Sequence, residues 1–220
     1  MAKAGNSYYY RKLHSLLGVI PVGAFLVEHL LTNYTAYHEG HEGFVEAVEW
    51  LNSLPLLFAL ELFGIWLPIL YHGVYGLYVA FTARNNPGQF NTFRNWMFIF
   101  QRVTGVITLI FILWHFYETR IQGALGNVAH EELGVLMHEI LSKPWSFALY
   151  VIGVVSASFH FANGMWSFLV SWGITVGPRA QRVSTYIWMG VFVVMSVMFV
   201  LSLTAFLDSS FQDTSILAKP

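Results

Sequence analysis

Five long apolar stretches dominate this sequence of 220 residues and leave few possible folds. A helix that crosses a membrane needs roughly 20 mostly apolar residues. The stretches that meet this requirement are residues 13–33, 53–83, 96–117, 144–174 and 183–207. Only 10% of the residues are charged, whereas a soluble domain carries about a quarter. The sequence therefore predicts an all-α integral membrane protein of five transmembrane helices, with residues 1–220 forming one domain.

Basic residues are distributed unequally over the segments that flank these helices. The N-terminal segment and the second and fourth loops contain Lys3, Arg11, Lys12, Arg84, Arg94, Arg102, Arg179 and Arg182. The segments expected on the opposite side contain Arg120, Lys143 and Lys219, and their loops are instead rich in glutamate. Because cytoplasmic loops carry an excess of Lys and Arg, we expect the N-terminus on the cytoplasmic side and the C-terminus outside.

The chain contains no cysteine, and its formal net charge is −1. The lack of thiols excludes disulfides, thiolate zinc sites, iron–sulfur clusters ligated by this chain and haem attached covalently through cysteine. The near-neutral charge gives no indication of a nucleic-acid partner. Any cofactor chemistry must therefore depend on other side chains.

Four histidines lie inside the first four apolar stretches, one in each: His29, His72, His115 and His160. An ionisable side chain at membrane depth is costly and indicates function. At about 1.5 Å per residue, His29 and His115 lie farther from the cytoplasmic ends of their helices (about 24 and 28 Å) than the other two do (about 17 and 20 Å). The histidines therefore form an outer and an inner pair. His14, at the inner end of the first stretch, is ambiguous.

Two histidines that face each other across a helix bundle can fill both axial positions of a haem iron. Such a six-coordinate haem is suited to electron transfer rather than to oxygen activation. A zinc or di-iron site would need further ligands, usually carboxylates, at the same depth. We therefore expect a four-helix core that binds two b haems, with the fifth helix packed outside it. His29 and His115 would ligate the outer haem iron, and His72 and His160 the inner one.

Glycines recur near these histidines. Gly76 and Gly164 each follow a histidine by four residues, on the same helical face. Gly18 and Gly105 precede the outer histidines by about three helical turns. Such glycines would give room to a flat macrocycle, or simply permit close helix packing. The repeated placement also suggests an internal duplication, with helices one and two related to helices three and four.

Several short strings resemble one protein family. They are Tyr10-Arg11-Lys12-Leu13-His14-Ser15, Glu28-His29-Leu30 and Gln101-Arg102-Val103-Thr104-Gly105. Together with the order of the four histidines, they resemble the five-helix, di-haem cytochrome b subunits of succinate:quinone oxidoreductases, particularly the b558 type of menaquinone-using bacteria. The resemblance runs along nearly the whole chain.

The resemblance implies a location, partners and an electron path. The location would be the bacterial cytoplasmic (inner) membrane, with a flavoprotein that holds FAD and an iron–sulfur protein docked on the cytoplasmic face. Electrons from succinate would reach the inner haem, then the outer haem, and then menaquinone near the outer surface. The first and third helices, and the second and fourth, would supply the two ligand pairs. This family pairing agrees with the depths of the histidines.

Further polar residues are candidates for supporting roles. Arg11, Arg84, Arg102 and Arg179 could contact haem propionates or anionic lipid, or could simply reflect the topology. Protons for quinone reduction could come from carboxylates on the outer side, and Glu28 and Glu61 are the leading candidates. The other such carboxylates are Glu46, Glu49 and Glu118.

Alternative functions remain open at this point. Other respiratory enzymes, including fumarate reductase, formate dehydrogenase and hydrogenase, also use cytochrome b anchors. A transporter whose histidines relay protons would need no haem. Some related fumarate reductases carry a transmembrane glutamate two residues before the fourth-helix histidine, and Ser158 occupies that position here. This departure favours a succinate dehydrogenase role. Nothing in the chain could oxidise succinate by itself.

Overall fold

The computed structural model describes residues 4–84 and 86–212, in which helices are joined by turns and short loops and no strand occurs. Within these residues, five helices are long and apolar enough to cross a membrane. They are Ser7–His38, Leu57–Thr82, Phe93–Ala124, Pro144–Ser171 and Pro178–Ala205. The predicted fold class is confirmed. The first and third spans are longer than predicted because the helices continue through charged residues that interrupt the apolar pattern.

The first span consists of two consecutive helices, α1 (Ala4–Val19) and α2 (Pro21–His38). Proline has no backbone N–H and cannot donate a hydrogen bond within a helix. The chain nevertheless continues without a loop, because the N–H of Ala24 donates to the carbonyl of Ile20 at 3.2 Å. Pro21 therefore divides the first span without breaking it.

The second and third spans each contain one π-helical turn. In the second span, α4 (Leu57–Glu61) leads through the π-turn Leu62–Trp66 into α5 (Leu67–Thr82). In the third, α6 (Phe93–Phe116) leads through the π-turn Tyr117–Ile121 into α7 (Gln122–Ala124). π-turns are rare and occur frequently at functional sites. The second of these turns begins two residues after His115.

The fourth and fifth spans are the helices α9 (Pro144–Ser171) and α10 (Pro178–Ala205). Each begins on a proline, whose fixed φ and missing N–H suit the first position of a helix. The loop between them contains Gly177 with φ 87°, a left-handed conformation that favours glycine. The short loop requires the two helices to run in opposite directions.

The residues form two compact units, each with its own internal contacts. The first unit comprises Met1–Val27, Phe58–Leu109 and Ser156–Val194. Within it, α9 packs against α10 through two edge-to-face ring pairs. Phe159 contacts Phe192 with centroids 5.5 Å apart, and Phe161 contacts Trp188 at 6.2 Å.

A lysine near the N-terminus fixes the end of α9 in the first unit. Lys12 Nζ donates a hydrogen bond to the carbonyl of Ser171, the last residue of α9, at 2.6 Å. The same ammonium lies 4.6 Å from the centroid of the Trp172 ring. A cation at a helix C-terminus is favourable because the final carbonyls lack partners and carry partial negative charge. This basic residue therefore has a structural role in addition to its place in the charge distribution.

The second unit comprises Glu28–Leu57, Ile110–Val155 and Met195–Pro220. It includes two short helices that the spans do not contain, α3 (Gly40–Asn52) and α8 (Leu133–Leu141). The rings of Phe44, Phe206 and Phe211 pack edge to face, with neighbouring centroids 5.0 to 6.4 Å apart. These rings are at most 5% exposed, so they form a small hydrophobic core around which α3 and α8 are held.

Candidate functional site

His72 and His160 face each other in the first unit. Their ring centroids lie 6.0 Å apart, with 82° between the ring planes. His72 comes from α5 and His160 from α9, so the second and fourth spans supply the pair. Both side chains are half-buried. This is the pairing that the histidine depths predicted for the inner site.

The orientation of these two rings is set by backbone carbonyls. His72 Nδ1 donates to the carbonyl of His14 at 2.9 Å, and His160 Nδ1 donates to the carbonyl of Gln101 at 3.0 Å. A carbonyl can only accept a hydrogen bond, so each Nδ1 carries the proton. The Nε2 atom of each ring is therefore left with a free lone pair, as a metal ligand requires. Metal-binding histidines commonly donate their other ring nitrogen in this way.

The two halves of the predicted internal repeat carry the same arrangement. His14 lies four residues before Gly18, and Gln101 lies four residues before Gly105. A Cβ atom added at Gly105 would lie 2.7 Å from Cε1 of His160, and one added at Gly18 would overlap the ring of His72. The glycines therefore make room for the histidine rings themselves. The sequence had suggested room for a macrocycle or simply close helix packing.

His29 and His115 face each other in the second unit. Their ring centroids lie 5.8 Å apart, with 68° between the ring planes. Asn33, one turn after His29, donates from Nδ2 to the carbonyl of His29 at 2.8 Å within α2. The first and third spans supply this pair, as the depths predicted for the outer site.

Aromatic side chains and one hydrogen bond hold the His115 ring. Phe111 stacks on it with centroids 5.8 Å apart and 19° between the planes. Tyr150 OH lies 3.2 Å from His115 Nδ1 and itself donates to Glu118 Oε2 at 3.2 Å. Trp114 packs edge to face on the ring of Tyr150 at 5.1 Å. The ring of His115 is therefore fixed on two sides.

Both histidine pairs have the spacing that a haem iron needs. Two metal–imidazole bonds of about 2 Å each, plus the distance from each nitrogen to its ring centre, put the centroids roughly 6 Å apart. The observed separations of 6.0 and 5.8 Å agree with this value. In the part of the chain that the structure describes, no three His, Asp or Glu side chains come together to hold a metal ion. Each pair thus offers two imidazole nitrogens that would suit the iron of a haem b as its protein ligands.

Comparison with known proteins decides the family. A family model described as the succinate dehydrogenase/fumarate reductase transmembrane subunit matches residues 84–199. A succinate dehydrogenase cytochrome b558 subunit from Bacillus subtilis (strain 168) is 52% identical over 204 residues, which cover 92% of this chain and 99% of that relative. The chain belongs to the succinate dehydrogenase/fumarate reductase transmembrane subunit family.

Membership in this transmembrane subunit family confirms the resemblance read from the sequence. The chain is a membrane-anchor cytochrome b of the succinate dehydrogenase type and a multi-pass protein of the bacterial cytoplasmic membrane. Cytochromes b of this kind hold haem b, and a subunit of such an enzyme associates with the other subunits of its complex. The number of haems and the residues that bind them remain predictions.

The four arginines that were predicted to contact haem propionates differ in their exposure. Arg11, Arg84 and Arg179 are exposed. Arg102 is half-buried, and its Nε donates to the carbonyl of Phe98, one turn earlier in α6, at 3.1 Å. Their role toward a cofactor stays a prediction.

The predicted proton donors are likewise placed differently from one another. Glu28 accepts a hydrogen bond from Thr32 Oγ1 at 2.7 Å within α2. Glu61 ends α4, directly before the first π-turn, and is half-buried. Glu46 and Glu49 are exposed on α3. None of these contacts tests the quinone role, which stays a prediction.

Three polar residues that hold the histidine sites together had no predicted role: Gln101, Asn163 and Tyr150. Asn163 Nδ2 donates to Gln101 Oε1 at 2.7 Å, and Gln101 Nε2 donates to the carbonyl of His160 at 3.0 Å. Asn163 and Tyr150 are 4% and 1% exposed. The sequence did contain a signal, because Asn163 lies three residues after His160, on the same helical face of an apolar span.

Proposed function

We propose that the chain forms one transmembrane cytochrome b domain holding two b haems, and that it carries electrons from succinate to menaquinone. His29 and His115 would ligate the iron of one haem, and His72 and His160 that of the other. The observation that carries this proposal is the separation of about 6 Å within both histidine pairs. When bound, the haems would supply two one-electron carriers inside the membrane.

The residues around the histidines fit a pair of closed electron-transfer sites. The backbone carbonyls of His14 and Gln101, and the hydroxyl of Tyr150, each engage an Nδ1 atom and leave Nε2 for the iron. Because each ring is already oriented, less free energy is needed to bring it into the position in which it would bind the iron. With both axial positions filled, such a site would transfer electrons rather than activate oxygen.

The partners proposed are a flavoprotein subunit with FAD and an iron–sulfur subunit, both on the cytoplasmic face. The basic residues of the N-terminal segment and of the second and fourth loops support placing the N-terminus and these loops on that face. The His72–His160 site would then be the inner one and would receive electrons first. The C-terminus would lie outside.

Quinone reduction is proposed near the outer site, with Glu28 and Glu61 as candidate proton donors. Glu61→Gln should lower the rate of quinone reduction while leaving both haems bound. Glu42→Gln is the matched control, because Glu42 is exposed on α3 and is not among the candidate proton donors. Unchanged quinone reduction in the Glu61 variant would remove that residue from the proton path.

The proposed outward path of electrons has an energetic consequence. Moving one elementary charge through 100 mV corresponds to about 2.3 kcal/mol. Electrons moving from the negative to the positive side are favoured by the membrane potential, which would help succinate reduce a low-potential quinone. Enzyme reconstituted in vesicles should therefore oxidise succinate faster under an imposed potential, and equal rates with and without it would refute the direction.

The decisive experiment is a redox-titrated visible spectrum of the purified protein with each ligand histidine changed singly to glutamine. Two bis-imidazole b haems are expected in the unchanged protein. His29→Gln and His115→Gln should remove one haem, and His72→Gln and His160→Gln the other. His130→Gln is the matched control, because His130 is exposed outside the spans. A protein without haem, or one whose haems survive all four changes, would refute the proposal.

A further inference from the structure

At the His115 site, the Nδ1 atom of the ring contacts the hydroxyl of Tyr150. At the His72–His160 site, the Nδ1 atoms instead donate to backbone carbonyls. We propose that Tyr150 and Glu118 are positioning residues for His115, and that the Glu118 carboxylate lowers the reduction potential of the haem held there. This inference rests on the proposed function, since it concerns a haem at the His29–His115 pair. The argument starts from one hydrogen-bonded chain of three side chains.

The direction of this chain follows from the number of protons available. Tyr150 has one hydroxyl proton, and it donates that proton to Glu118 Oε2 at 3.2 Å. The contact of 3.2 Å between Tyr150 OH and His115 Nδ1 must therefore be donated by Nδ1. Negative charge on the carboxylate is thus linked through the hydroxyl to the imidazole, which makes the imidazole a stronger electron donor at Nε2.

The fold places the three side chains together. Glu118 follows His115 by three residues, so both project from the same face of the third span. The π-turn Tyr117–Ile121 begins between them and contains Glu118. Tyr150 reaches them from α9 and bridges the two. A glycine one turn later, Gly153, leaves the space in α9 that the ring of Phe111 fills.

Burial strengthens the effect of the charge on the haem. Tyr150 is 1% exposed and is enclosed by the rings of Phe111 and Trp114, with centroids 5.2 and 5.1 Å away. Glu118 itself is half-buried. Few water molecules can reach the hydroxyl between the carboxylate and the imidazole, so the local dielectric constant at this link is low. A ferric haem carries more positive charge than a ferrous one. The carboxylate therefore stabilises the ferric state and lowers the potential.

The other histidine pair provides an internal reference. His72 and His160 donate from Nδ1 to the uncharged backbone carbonyls of His14 and Gln101. Changes at Glu118 or Tyr150 should therefore leave the potential of that haem as it is. A general disturbance of the protein would instead affect both haems.

The test is a redox titration of both haems in the purified protein, combined with electron paramagnetic resonance of the ferric state. Glu118→Gln should shift the reduction equilibrium of one haem about tenfold toward the ferrous form, which is about 59 mV for one electron. Tyr150→Phe should shift it in the same direction and also change the g-values of that haem, because the ring of His115 loses its hydrogen bond. Glu118→Asp retains the charge and should restore most of the potential.

Matched controls are available in the same unit. Glu49→Gln removes an exposed carboxylate, and Tyr117→Phe removes the hydroxyl of a tyrosine that is 61% exposed. Neither should move either potential. If Tyr150→Phe loses the haem while Glu118→Gln retains it with a raised potential, positioning and charge are both supported.

Two results would contradict the inference in different ways. Unchanged potential and g-values in Glu118→Gln, with both haems bound, would overturn the role of Glu118 and leave the proposed function intact. An unchanged protein that contains no haem would overturn the proposed function itself. An equal shift of both haems would also overturn the inference, because it would show a general effect.

Discussion

The imidazole rings of His14 and His72 lie parallel, with their centroids 4.1 Å apart and 5° between their planes. His14 Nε2 is buried and has no hydrogen-bond partner among the residues that the structure describes. The proton of His72 Nδ1 is accepted by the backbone carbonyl of His14 and not by the His14 side chain. The side chain of His14 therefore stacks on a proposed ligand, while its backbone carbonyl orients that ligand.

The variant His14→Gln separates the role of the His14 backbone carbonyl from that of the His14 side chain. The variant keeps the backbone carbonyl that orients His72 and gives the position the side chain found at Gln101 in the other half of the repeat. We expect both haems to remain bound, with altered g-values for the haem of the His72–His160 site because the stacked ring is lost. Haem content and electron paramagnetic resonance spectra measure this. Loss of a haem would show that His14 is itself required for binding, and His72→Gln is the reference for such a loss.

Gly105 is expected to tolerate no larger side chain. A Cβ atom there would lie 2.7 Å from Cε1 of His160, and overpacking of this kind costs about 1–3 kcal/mol. Gly105→Ala should lower the thermal unfolding temperature and displace His160, with partial loss of one haem. Gly190→Ala is the control, because no atom of residues 4–84 or 86–212 outside its own stretch of helix lies within 4 Å of a Cβ added at Gly190. Equal behaviour of the two variants would refute the close contact.

Phe211 should be important for the small core of the second unit. It is 1% exposed and packs against Phe44 and Phe206. Replacement of a buried Phe by Ala costs about 3–5 kcal/mol, so Phe211→Ala should increase hydrogen exchange in α3 and α8. Mass spectrometry of the exchanged protein measures this effect. The exposed Phe90 supplies the control variant, and exchange that is equally slow in Phe211→Ala and Phe90→Ala would contradict the predicted core.

Arg94 is held in the first unit by a ring and a hydroxyl. Its Cζ lies 3.5 Å from the centroid of the Trp166 ring, and its Nη2 donates to Thr185 Oγ1. A partly desolvated cation–π contact contributes about 1–2 kcal/mol. Arg94→Gln should therefore lower the thermal unfolding temperature of the purified protein by several degrees. Arg179→Gln, at an exposed position, should change the unfolding temperature little. A similar fall in both variants would show that the loss of one positive charge, and not the contact with Trp166, lowers the stability.

The sequence predicted those parts of the structure that depend on local composition. Apolar runs of sufficient length defined the five spans, and the order and depth of His29, His72, His115 and His160 predicted which rings would meet. The ends of the first and third spans were misplaced, because polar residues at a membrane surface can continue a helix that hydropathy alone would end. Helix boundaries depend on hydrogen bonds more than on apolarity.

The parts that the sequence did not predict depend on contacts between distant segments. Nothing in the spacing of Glu118 and Tyr150 shows that α9 would bring the hydroxyl against the carboxylate. The acceptors for His72 and His160 are main-chain atoms, which every residue possesses, so no residue type marks them. Such contacts become visible only when helix packing is known.

Those main-chain acceptors also affect how this protein can change during evolution. Because any residue presents a carbonyl, the acceptors for His72 Nδ1 and His160 Nδ1 do not depend on which side chain stands at positions 14 and 101. The constraint on substitution falls instead on the small volume of Gly18 and Gly105 and on the regular course of the helices. A substitution at position 14 or 101 would thus leave these hydrogen-bond acceptors of the two proposed ligands in place, because the backbone supplies them.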